Sequence, residues 1–194
     1  MASVVEIANS ALNMLGANNI NSLTEDSKPA RVINQRYAPV RDAVFRAHPW
    51  NCLIKRQALA ADTEAPAFEF ATAFSLPGDC LRVLQTEYLD TIFRVEGRKI
   101  LSDESDINIL YISRVEDPNE YDTLLIDTIA TKLAAEIAYP LVASNTLSTN
   151  LFVIYEKKLS EARFVDATEG MPGALDNVAD RGSFQANTFI QSRF

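Results

Sequence analysis

The sequence predicts an α+β fold: an antiparallel four-helix bundle with a small antiparallel β module inserted between helices two and three, and an extended C-terminal tail. Three observations predict it. Apolar residues recur at helical spacing in two stretches near the N-terminus and in two more after residue 117, the middle of the chain switches to alternation, and the last two dozen residues keep neither period. The divisions fall at 1–60 for helices one and two, 61–116 for the β module, 117–170 for helices three and four, and 171–194 for the tail.

The first helix is announced by Ser3-Val-Val-Glu6, a capping box in which Ser3 caps the amide of Glu6 and Glu6 returns the bond. Val4, Ile7, Ala8, Ala11, Leu12 and Leu15 then share one face, and Gly16 closes the helix as a left-handed cap. The second helix begins near Asp26-Ser-Lys-Pro29, with the proline in its first turn. Its stripe is Val32, Ile33, Tyr37, Val40 and Val44, and Pro39 inside it is expected to kink it.

His48, the one histidine, lies beside Pro49 and Trp50, the one tryptophan. A residue before proline is pushed out of the α region, so the helix has to end there. A histidine in the last turn also suits the negative end of the helix dipole, charged or donating to a free carbonyl. A catalytic role needs a nucleophile, base and orienter together, and the chain has no Gly-x-Ser-x-Gly elbow. His48 therefore reads as a helix ending, and Trp50 as a core plug.

From Pro66 the period is two. In the run Ala67–Ser75, Phe68, Phe70 and Phe74 share one parity, the pattern of a strand with one buried face. Pro77 and Gly78 are expected as the central pair of a type II turn. The segments CLRVLQTEYL, TIFRV, RKIL and INILYISRV read as further strands, with Glu96–Arg98 as a hairpin tip. The acidic run Ser102–Asp106 lacks the ligand spacing of a calcium loop and reads as a solvated turn.

Helix returns at Asp117-Pro-Asn-Glu120, a second capping box, or else at Asp122. Leu125, Ile129, Leu133 and Ile137 face inward as far as a break at Pro140, and Ala130, Ala134, Ala135 and Ala138 admit a close neighbour. Asn145 opens the fourth helix, with Leu151, Tyr155, Leu159 and Ala162 inward until Gly170, and Pro172 forbids its continuation. In the tail, Phe184, Phe189, Ile190 and Phe194 are apolar anchors on a polar string. They fit a segment that orders on a partner, and equally one that folds back on the bundle.

Composition limits the function. A chain of 194 residues, 47% apolar, folds without disulfide or metal staples. The net charge of −8 argues against a stable complex with nucleic acid, though not against DNA passing nearby. Cys52 and Cys80 match neither a zinc site nor a redox pair and are expected reduced, as in a cytoplasm. No apolar run reaches the ~18 residues of a membrane span, and the N-terminus shows no basic region followed by an apolar run. No cofactor, metal ligand set or catalytic residue is expected.

The segments IANSALNMLGANNINSL, ARVINQRYAPVRDAVFRAHPWN, FSLPGDCLRVL, RVEGRKILSD, INILYISRVEDPNEYD, TKLAAEIAYPL and EARFVDATEG occur in an order that resembles the tail tubular protein A family. These are the head-to-tail adaptors of podovirus-like phages and prophages. The similarity spans nearly all of residues 2–170. It implies a non-enzymatic virion subunit assembled in the host cytoplasm, a ring, usually a dodecamer, between the portal and a tail nozzle like tail tubular protein B. Double-stranded DNA would pass through its centre, and the C-terminal segment would reach onto the portal. Two other classes stay open on the residues alone: a virion-associated cell-wall hydrolase with an Asp/Glu pair, and an oligomeric binding module of the host.

Overall fold

The computed structural model describes residues 2–88 and 90–169. Among the described residues the helices are α1 (Val4–Met14), α2 (Lys28–Ala47), α3 (Thr123–Val142) and α4 (Asn145–Glu169). Six strands lie between α2 and α3: β1 (Ile54–Leu59), β2 (Thr72–Ser75), β3 (Cys80–Thr86), β4 (Phe93–Glu96), β5 (Lys99–Ser102) and β6 (Ile107–Ser113). They form two antiparallel sheets, ordered β1-β6-β3 and β2-β5-β4.

This corrects the expected four-helix bundle with a small insert. About 49% of the structure is helix and 20% strand, and the strands divide the helices two and two. α3 is a hub that packs on α1, α2 and α4, while α1 and α2 scarcely touch. Leu125, Ile129, Leu133 and Ile137, together with Ala130, Ala134, Ala135 and Ala138, are all buried, so α3 is apolar on more than one side. The strands also enter the main core, where Leu53 and Ile112 pack with the helical residues. A second core joins the two sheets through Leu59, Phe74, Ile100, Ile107 and Ile109.

The helix starts follow local chemistry. Ser3 Oγ accepts from the Glu6 amide at 3.1 Å and the Ser3 amide donates to Glu6 Oε2 at 2.9 Å. Gly16 has φ +65°, and Ser27 caps α2 through the Ala30 amide at 3.3 Å. α3 starts at the second of its two possible sites, with Asp122 Oδ1 accepting from Leu124 and Leu125 at 2.8 and 3.3 Å. Asp117 caps only a short 3-10 turn, Pro118–Glu120, with no return bond from Glu120. The reason lies just beyond it. Tyr121 is drawn into the core, its ring edge-on to Phe45 at 5.3 Å and its hydroxyl donating to Val115 O at 2.8 Å, which breaks the helical path.

Neither internal proline stops its helix. α2 continues through Pro39 and α3 through Pro140. Both rings are exposed, so the carbonyl that loses its partner in each case lies toward solvent. α3 ends two residues past Pro140, where Ala143 takes φ +55°.

The sheets depart from the sequence reading in three places. β1 is not anticipated, because Lys55, Arg56, Gln57 and Ala58 are all exposed and leave no alternation to read. It is held by pairing, from Ile54 opposite Ile112 to Leu59 opposite Ile107. The strand expected over 67–75 shrinks to β2, since Glu69 adopts φ +74° and Phe68 stands 79% exposed, whereas Phe74 is fully buried. The turn before β3 is closed by the Cys80 amide on Pro77 O at 3.0 Å, which makes Gly78 and Asp79 its central pair. Neither Gly78 nor Asp79 is at positive φ, so the turn is not type II. The hairpin at Gly97 is as expected, with Glu96 opposite Lys99.

Candidate functional site

His48 stands at the C-cap of α2 with φ −150° and ψ 148°, the extended backbone that Pro49 requires. Its Nε2 lies 2.9 Å from Asp166 Oδ2 near the end of α4. Asp166 Oδ1 accepts from the Asn51 amide at 3.0 Å, and Asn51 Nδ2 donates to Asp166 O at 2.7 Å. Arg163 Nη2 donates to Ala47 O at 2.9 Å, so a cation also meets the negative end of α2. Trp50 lies beneath, fully buried, its indole N–H on Val44 O at 3.0 Å and its ring 4.9 Å from that of His48. These residues clamp the last turns of α4 onto the turn from α2 into β1.

A histidine held by an aspartate resembles part of a catalytic triad, so its neighbours decide what it can do. Cys52 is the nearest nucleophile type in sequence, and burial pushes its thiol up, against a hydrogen bond from the Asp122 backbone and with the Asp166 charge adding to the rise. Burial likewise raises Cys80. Activation requires the opposite shift. Both cysteines are free thiols. Asp166 is itself 5% exposed and spends its oxygens on His48 and Asn51, which is the arrangement of a satisfied buried anchor.

The acidic run Ser102–Asp106 connects β5 to β6. Ser102 is buried while Asp103, Glu104, Ser105 and Asp106 are exposed, and Asp103 Oδ1 accepts from the Ala71 amide at 2.9 Å. Among the described residues no cluster of His, Cys, Asp and Glu is placed to hold a metal ion. A groove of about 540 Å³ runs along the second sheet beside Glu64, Phe68 and Glu69. Its charges are largely self-paired, Arg94 with Glu69 at 3.1 Å and with Glu96 at 3.8 Å.

No protein-family model and no curated protein matches the chain. No described helix is long and apolar enough to cross a membrane.

What remains conspicuous is surface. Among the described residues, large apolar side chains are exposed at Phe68, Tyr88, Ile92 and Val95 in the β region and at Tyr139, Val142, Phe152, Val153, Ile154 and Phe164 on α3 and α4. Helical spacing picks out the inward faces and not these outward residues; on α4 their signal in the sequence is apolar side chains outside its stripe. The tail anchors Phe184, Phe189, Ile190 and Phe194 lie outside the described residues.

Proposed function

We propose that the chain is a structural head-to-tail adaptor subunit of a podovirus-like phage or prophage, forming a ring that joins the portal to the tail nozzle and lines the DNA exit channel. The observation that carries this reading is the ordered series of segments over residues 2–170 that resembles the tail tubular protein A family. The exposed apolar side chains support it, because exposed groups of this kind mark protein contacts and a ring subunit needs separate faces for its neighbours and for the next ring. The clamp supports it too, as the chain's one histidine is used to join two helix ends. In this reading the protein is not an enzyme, needs no cofactor, and acts in the virion after assembly in the host cytoplasm. Its partners are copies of itself, twelve in the dodecamer implied by the resemblance, the portal and the nozzle. A net charge of −8 suits a conduit, since like charge keeps DNA off the wall within a screening length of ~8 Å. Electron microscopy of the purified protein mixed with its portal tests the proposal. Rings stacked on the portal are expected, and a mixture in which the two never associate would overturn it.

A further inference from the structure

α4 is a surface helix without a surface helix's pattern. It packs along α3, and its last turns reach α2 at the clamp. A helix with one neighbour normally has one apolar stripe and a polar remainder. Leu151, Tyr155 and Ala162 supply the stripe, yet Phe152, Val153 and Ile154 are 43%, 49% and 43% exposed. Consecutive helical residues point about 100° apart, so these three look out in three directions. At that level Val153 points away from the buried stripe with Phe152 and Ile154 on its flanks, so the solvent side of α4 is apolar.

Charge indicates what covers it. α2 exposes Lys28, Arg31, Arg36 and Arg46, and its one acid, Asp42, is held by Arg41 and Arg114 at 2.9 and 2.8 Å. Arg31 pairs with Asp26 and Arg46 donates to Leu81 O, which leaves Lys28 and Arg36 to define a basic face on a chain whose net charge is −8. Pro39 and Ala43, exposed, and Val32, half-buried, lie among these cations. On α4 the exposed charges are Glu156, Glu161 and Glu169 against Lys157, so that helix is net acidic. Both helices pack on α3, and their solvent faces are separate surfaces.

We propose that the outward face of α4 in one copy docks on the outward face of α2 in a second copy. Val153 seats against Pro39 and Ala43 with Phe152 and Ile154 at the margins of the contact, and Glu156 and Glu161 face Lys28 and Arg36. Because the two faces differ, the contact is heterologous and leaves one α4 and one α2 open for further copies, which close into a ring when the rotation allows. This deepens the adaptor reading by naming the faces at which its subunits meet, and rests on it for closure of the ring.

The test uses the full chain with single cysteines on each face. Mixed Val153→Cys and Pro39→Cys proteins, oxidised mildly at millimolar concentration, are expected to form covalent heterodimer at roughly ten times the yield of either alone, the mark of a specific pairing. Glu156→Lys/Glu161→Lys should weaken self-association in sedimentation about tenfold, and mixing it with Lys28→Glu/Arg36→Glu should restore it. Each variant sits on the surface, and circular dichroism checks its fold. Equal cross-linking of Val153→Cys with itself, or no covalent dimer in any sample, overturns the proposal. So does a Lys28→Glu/Arg36→Glu protein that loses binding to a short DNA duplex while self-associating normally, which would make α2 a nucleic-acid face. Rings without the Val153–Pro39 cross-link overturn these faces and leave the adaptor reading standing. Cross-linked open chains that never associate with portal support the faces and sink the adaptor.

Discussion

His48 and Asp166 are 118 positions apart in the chain and meet at 2.9 Å, each nearly buried. Asp166 also holds the Asn51 amide, so one carboxylate ties the end of α4 to the exit of α2. Asp166→Ala removes the acceptor for both donors, and leaving a buried donor unmet costs about 1–3 kcal/mol. For a chain of this size that corresponds to a loss of roughly 2–12 °C in Tm. His48→Asn should leave the fold and assembly into particles largely intact. A well-folded His48→Asn protein with complete loss of particle function would revive a catalytic reading of the histidine.

Leu133 is fully buried in the hub helix α3. Leu133→Asp places an unpaired charge there, a cost of several kcal/mol against a total stability of ~5–15 kcal/mol. The expected outcome is failure to fold, seen as insoluble protein or lost helical circular dichroism. A soluble, fully helical Leu133→Asp protein would contradict the packing around α3.

Tyrosines make the protein sensitive to alkali. Burial raises Tyr37, Tyr121 and Tyr155, and burial followed by the Asp79 carboxylate pushes Tyr111 up to about 12. Below the ordinary tyrosine value of about 10 these groups are protonated whether the chain is folded or not, and their contribution to stability is fully present. Above it the unfolded chain loses protons that the folded one keeps, so stability falls and the Tyr111 contribution is gone once pH has passed about 12. Denaturant midpoints taken from about pH 8 to 11 should drop, and less steeply for Tyr111→Phe. An identical slope in that variant would remove Tyr111 from the account.

The tail separates the adaptor from its rivals. Burying one phenylalanine contributes ~1.5–3 kcal/mol before the cost of ordering the strand, so single anchors are weak and a ring of copies is not. If Phe184, Phe189, Ile190 and Phe194 fill crevices of the portal, deleting residues 171–194 should leave the helical circular dichroism unchanged and abolish stable attachment to portal-bearing heads. Truncated protein that co-sediments with those heads at normal occupancy would refute it.

Much of the local structure is legible along the chain, because its causes lie within three or four residues of one another. The Ser3–Glu6 box, the Asp122 cap, the His48 ending before Pro49 and the Gly97 hairpin each rest on one short-range rule, and all stand in the structure. The inward stripes of α1, α2 and α3 are legible for the same reason, since helical spacing puts a single face on the core. The architecture is decided elsewhere. β1 exists because β6 offers it a pairing edge, although its own residues carry no strand pattern. α3 is a hub because its apolar surface exceeds one stripe, and periodicity cannot say which neighbours will cover the excess. The clamp joins residues more than a hundred positions apart, and the solvent faces of α2 and α4 acquire their meaning only once α3 is seen to carry both. Short-range hydrogen bonds and backbone sterics act before the chain has a shape, whereas strand pairing, helix packing and surface charge depend on what the finished fold brings together.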